Sequence, residues 1–290
     1  IGLSDSLHLK NGLTFANNHV LNIGPGAGNG HSTLYYDNTQ TITGSGQIVF
    51  GAASGYTSVL EANSNNGSIL TLDTGITLAA KAGLTGNVQL GANTYDKIVN
   101  QGTLTANQSG YTFTTYGTFT NAAGAHLNVS AGTFTLGNST AATWSNAGTI
   151  AVSGGTLNLG GATKTDNLGT INQSATGVVN LVGTLDNTAA SNPTTAGTLN
   201  LSTVGLTNLV MAGGTLTGGT VTGAPITATS GTLDGITLDT DLTIGLSDSL
   251  HLKNGLTFAN NHVLNVGPGA GNGHSFLYYD NTQTITGSGQ

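Results

Sequence analysis

The chain begins again 243 residues after it starts. Residues 1–47 read IGLSDSLHLKNGLTFANNHVLNIGPGAGNGHSTLYYDNTQTITGSGQ, and residues 244–290 match them at 45 of 47 positions. The two differences are Ile23 against Val266 and Thr33 against Phe276. A self-contained globule has no reason to restart, whereas a tandem array restarts by construction. The expected organisation is one long repeat over 1–243 and the opening of the next over 244–290, cut as a window from a longer protein.

A finer grain runs inside the repeat. The tripeptide Gly-Thr-apolar recurs at Gly102, Gly117, Gly132, Gly148, Gly155, Gly169, Gly183, Gly197, Gly214, Gly219 and Gly231. In Thr103-Leu104-Thr105 and Thr118-Phe119-Thr120 the apolar side chain faces one way and both threonines the other. The stretch from Ile236 to Ile244 keeps this period of two almost throughout. Leu216, Leu233, Leu238 and Leu242 are therefore expected to point inward and stack in ranks. Asn11-Gly12, Asn66-Gly67 and Asp234-Gly235 supply residues that tolerate tight corners.

Short strands of three to five residues, turned at frequent corners, predict an all-β parallel solenoid. A single coil cannot bury its own apolar face, so each must stack on the next. At about 20 residues per coil, the repeat would hold about 12 coils. At ~4.8 Å per coil it would advance roughly 58 Å. An antiparallel sandwich is the competing architecture, although it calls for longer, well-matched hairpin strands.

Composition narrows the function classes. The chain carries five Lys, no Arg and 12 acids, for a net charge of −7. Nucleic-acid and anionic-lipid binding both need a basic patch, and none is present. No apolar run is long enough to cross a membrane as a helix. The absence of Cys removes disulfides and thiolate metal sites. Only 6% of residues are charged but 37% are apolar, which suits a long thin core kept in solution by Thr, Asn and Ser.

The units Asn146-Ala-Gly-Thr-Ile150 and Asn167-Leu-Gly-Thr-Ile171, mixed with the Gly-Thr-apolar tripeptides, resemble the passengers of bacterial type V secreted proteins. These are the autotransporter and filamentous-haemagglutinin-like adhesins. The resemblance lies in texture along the whole chain rather than in one motif. It implies a right-handed parallel β-helix displayed outside the cell as a stalk or adhesive fibre. Further copies of the repeat in tandem are its expected partners, with lateral self-association between fibres and a surface ligand left unspecified. Thr33 and Phe276, the position that changes between copies, are the candidates for lateral contact.

Other constellations point less far. The run from Gly24 to His31 is dense in Gly but lacks the Gly-Lys-Ser/Thr of a phosphate loop. It reads as a turn or insertion between coils. His8, His19, His31 and His126 form no His-x-x-x-His pair and read as exposed spacers. Asp239 and Asp241 are the only calcium candidates, within the cluster Asp234, Asp239, Asp241 and Asp248, but the Gly-Gly-x-Gly-x-Asp repeat of calcium rolls is missing. No cofactor is expected. A solenoid enzyme acting on uronates needs a cation beside the substrate, yet the lysines are scattered, so no catalytic residues are assigned. Six Asn-x-Ser/Thr sequons, one at Asn66, are about what this composition produces by chance. Outward Thr-x-Thr pairs raise an ice-binding alternative, which the uneven tripeptide spacing disfavours.

Overall fold

The computed structural model describes residues 1–24, 30–64, 67–188, 197–267, 269 and 271–290. Most of the run from Gly24 to His31, and Asn66 of the Asn66-Gly67 corner, lie outside the described residues.

The molecule is a parallel β-solenoid. Among the described residues every strand pairing is parallel, and most strands bond to a strand one coil earlier and another one coil later. A coil has three sides. The coil that opens at residue 112 shows the plan with strands Thr112–Thr115, Thr118–Asn121 and His126–Val129, after which Thr133–Leu136 lands on the first of them.

Alternation and glycine explain these strands. Thr112–Thr115, Thr118–Asn121 and Thr133–Leu136 all alternate half-buried and buried residues. Inward Phe, Leu, Ile and Val form the core, while outward Thr, Asn and Ser meet water. The Gly of the Gly-Thr-apolar unit sits where the coil below comes closest. A Cβ on Gly117 would lie 2.2 Å from the Asp96 carbonyl oxygen, and its φ of +64° is in the left-handed region. A Cβ on Gly102 would meet the Ile76 carbonyl at the same distance.

Among the described residues most strands run three to six residues, but five are longer: Leu13–Ile23, Gln40–Phe50, Leu209–Thr217, Ile226–Asp239 and Ser249–Phe258. In these, two or three sides join through a bend, and the pairing register shifts where the chain turns, as between Phe15 and His19 and between Asp234 and Ile236. Gly44, at φ +86°, marks one such bend.

The core is a single continuous column. Phe113 stacks on Phe134 at 5.9 Å and meets Phe50 edge-on at 6.2 Å. Leu216, Leu233, Leu238 and Leu242 are fully buried. Leu216 and Leu233 occupy one rank, Leu238 stacks between Val221 and Phe258 on the next side, and Leu242 lies over Ile226 on the third. Each such side chain contributes about 1.5–3 kcal/mol by leaving water.

The coils are longer and fewer than the 20-residue expectation. Ser58 pairs with Val88, 30 residues on, whereas Ile226 pairs with Leu242, only 16 on. Corners, not strands, absorb the difference. Ten coils and one further side separate Ser6–Leu9 from the segment 249–252 that repeats it. At ~4.8 Å per coil the repeat advances about 50 Å, not 58 Å.

Candidate functional site

Two surface features recur with the repeat. In the first, His8 stacks on Tyr35 at 4.7 Å, and its Nδ1 meets Asp37 Oδ1 at 2.8 Å. The copy keeps both contacts: His251 lies 4.8 Å from Tyr278, and its Nδ1 is 2.6 Å from Asp280 Oδ1. Cross-strand register brings these side chains together, because His8 lies opposite Tyr35 and His251 opposite Tyr278. At the position that differs, Phe276 extends the stack, 5.5 Å from Tyr278 and 47% exposed. Thr33 is half-buried there and lies beside Val59 in the next coil.

The second is an open groove of about 500 Å³ lined by Asn254, Gly255, Thr257, Gln283 and Thr286. Its counterpart, about 460 Å³, is lined by Asn11, Gly12, Thr14, Gln40 and Thr43. A glutamine latch shapes both. Gln40 accepts from the Gly12 amide at 2.6 Å and donates to the Leu9 carbonyl at 2.7 Å, as Gln283 does with Gly255 and Leu252. The linings are amides and hydroxyls, with one cation, Lys10, at the first groove. Such a groove offers hydrogen bonds to a neutral polar group.

The calcium candidates do something else. Asp239 closes a strand and Asp241 sits in the corner after it, with buried Thr240 between them. Both reach across to the next coil and hold His262: Nε2 is 3.4 Å from Asp239 Oδ1 and Nδ1 is 3.0 Å from Asp241 Oδ1. The Val263 amide also donates to Asp241, and with His262 holds its carboxyl below the usual carboxylate range. Asn260 Nδ2 donates to Asp239 at 2.7 Å. These acids fasten the opening of the second repeat to the end of the first. Among the described residues no group of three or more His, Asp or Glu is arranged to hold a metal ion.

The outward columns are mixed. One runs Val59, Gln89, Thr114, Thr135, Asn158 and Asn180 from coil to coil. Thr-x-Thr occupies two successive coils of this side, at Thr112 and Thr133, then gives way to Thr156-x-Asn158. That is not the constant lattice that an ice plane requires.

Sequence reasoning missed two buried polar devices. Asp96, fully buried, accepts from the backbone amides of Ala62, Ala92 and Asn93 at 3.1, 2.6 and 3.1 Å. Burial, and then Asp96, push the Glu61 carboxyl above its ordinary range. The other device is an asparagine ladder. Asn100 Nδ2 donates to Asn121 Oδ1, and Asn121 Nδ2 to Asn146 Oδ1, both at 2.8 Å. Asn146 Nδ2 then reaches the Leu168 carbonyl at 2.9 Å. The Asn of Asn-x-Gly-Thr was the available signal for Asn100 and Asn146, but Asn121, followed by Ala-Ala-Gly, lacks it. Even so, Asn167, in the same motif, is only half-buried and stands outside the ladder, because Leu168 takes the interior place.

No family model, curated protein or solved structure matches this chain.

Proposed function

We propose that this chain is a stalk segment of an extracellular fibre, built from tandem copies of the 243-residue repeat. Its role is to give reach and attachment at a cell surface or in a matrix, and it is not catalytic. The observation that carries the reading is the join between copies. Ile226–Asp239 pairs in parallel with both Leu242–Ile244 and Ser249–Phe258, and Leu242–Ile244 pairs on to Leu264–Val266, so the stacking of coils crosses the join.

The copies also make the same internal contacts. Ser6 lies opposite Thr33 and Ser249 opposite Phe276; Leu13 lies opposite Ile42 and Leu256 opposite Ile285. Each copy leaves bare what the other covers. Leu7 is 40% exposed at one end and its counterpart Leu250 is fully buried; Tyr36 is fully buried and its counterpart Tyr279 is 59% exposed. Continuation of the array covers both ends. A rod stiffened at every seam by hydrogen bonds and by the Asp239–His262–Asp241 clamp holds whatever it carries at a set distance. The resemblance in texture to type V secreted passengers supports display of such a rod outside a bacterial cell, and Phe276 with Tyr278 offers a lateral contact between rods.

Electron microscopy of chains with two, four and six repeats tests the reading. The expected result is a straight rod lengthening by about 50 Å per repeat. Separate globules joined by flexible connections would overturn it.

A further inference from the structure

We infer that successive repeats are related by a screw that turns one side of the three-sided coil, so that a surface feature carried once per repeat appears on all three sides in turn. The inference rests on the tandem reading above and deepens it.

Three segments in two strands report the turn. Ser6–Leu9 opens the side that continues through Ser32–Tyr36, Thr57–Ala62, Asn87–Leu90, Thr112–Thr115, Thr133–Leu136, Thr156–Leu159 and Val178–Leu181. The same side goes on through 209–211, 226–228 and Leu242–Ile244 to end at Leu264–Val266. That last strand repeats 21–23, which lies on the third side, above it Gln40–Phe50 and Ile76–Ala80. The repeat of Ser6–Leu9, residues 249–252, instead follows Thr184–Asp186, 215–217 and 232–234 on the second side. The repeat of 13–15, residues 256–258, follows Thr220–Thr222 and 236–239 on the third. All three segments have moved on by one side.

The cause is arithmetic, because 243 residues make ten coils and one side rather than a whole number of coils. It is not a change of local structure. The stacked His–Tyr pair, the His–Asp contact, the glutamine latch and the Thr14–Thr43 contact (Thr257–Thr286 in the copy) persist in both places. Sheet twist adds its own gradual rotation, but it does not change which strand stacks on which.

The consequence concerns lateral partners. The His8–Tyr35–Asp37 cluster and its groove recur about 50 Å further along and one side round. They return to the same side after three repeats, about 150 Å. A second rod lying alongside meets the cluster on its own side only at every third repeat, while the other two sides face other neighbours. Contacts through the cluster therefore join rods into a bundle rather than a flat ribbon.

Paired cysteines test the phase in this chain, which has no Cys of its own. Thr257 lies between Thr237 below and Thr286 above, within the reach of a disulfide between adjacent strands. The pair Thr257→Cys with Thr286→Cys is internal to one copy and serves as the control. The pair Thr237→Cys with Thr257→Cys exists only if the second copy has turned by one side. On mild oxidation both pairs should lose their free thiols and give linked peptides by mass spectrometry. A control pair that links while Thr237→Cys/Thr257→Cys keeps both thiols would overturn the inference. If neither links, a short bismaleimide replaces oxidation, with the same comparison. Long arrays that image as loose beads would sink the stalk reading without altering this result.

Discussion

Asn121 is the middle rung of the buried ladder, and Asn121→Ala removes it cleanly. The substitution deletes two hydrogen bonds of 2.8 Å, one accepted from Asn100 and one donated to Asn146. Each contributes about 0.5–1.5 kcal/mol. Asn100 keeps a second acceptor, the His126 carbonyl at 3.3 Å. Asn146 Oδ1 loses its amide donor in a place only 5% exposed, and a stranded buried acceptor costs about 1–3 kcal/mol. The expected loss is about 3 kcal/mol, read as a lower urea midpoint at unchanged slope. Asn121→Ala with Asn146→Ala should cost less than the sum of the single changes by about 1–2 kcal/mol, because the stranded acceptor goes with its side chain. Amide exchange should quicken first at Gly102 and Thr149, at the corners that the ladder closes. A loss below about 0.5 kcal/mol, or strict additivity in the double variant, would falsify the claim that the rungs act on one another.

Leu238→Asp places a charge in the column between Val221 and Phe258; it should cost several kcal/mol, and an unchanged melting temperature would remove Leu238 from the core. Glu61 holds its proton more tightly folded than unfolded, so its contribution is greatest at low pH. It declines as pH rises from the unfolded value of about 4.3 through the raised folded value. Glu61→Gln should therefore flatten the stability profile over that window and stabilise the chain at neutral pH; a profile that keeps its slope refutes the assignment. His262→Ala should loosen the seam alone: exchange should quicken at the Val263 amide, which bonds to Asp241, and stay unchanged around Phe113. Equal change at both places would mean that the clamp is not local. In multi-repeat chains Phe276→Thr should weaken side-by-side association by sedimentation, and undiminished association would remove this position from the contact.

Period two, glycine at the corners and the 243-residue restart are properties of adjacent residues, and the sequence alone determined them. They were enough for the parallel solenoid, for the inward place of Leu216, Leu233, Leu238 and Leu242, and for outward His8. Tertiary structure alone decided everything that depends on distance along the chain. How many residues a coil takes shows only when its strands are paired, as with 30 from Ser58 to Val88 and 16 from Ile226 to Leu242. These lengths accumulate, so the side on which a strand falls is legible only after every earlier corner is known. The asparagine ladder needed the same information. Asn146 and Asn167 carry one motif, yet only Asn146 meets a rung below and a backbone carbonyl above, because burial and hydrogen bonding belong to the stack and not to the segment.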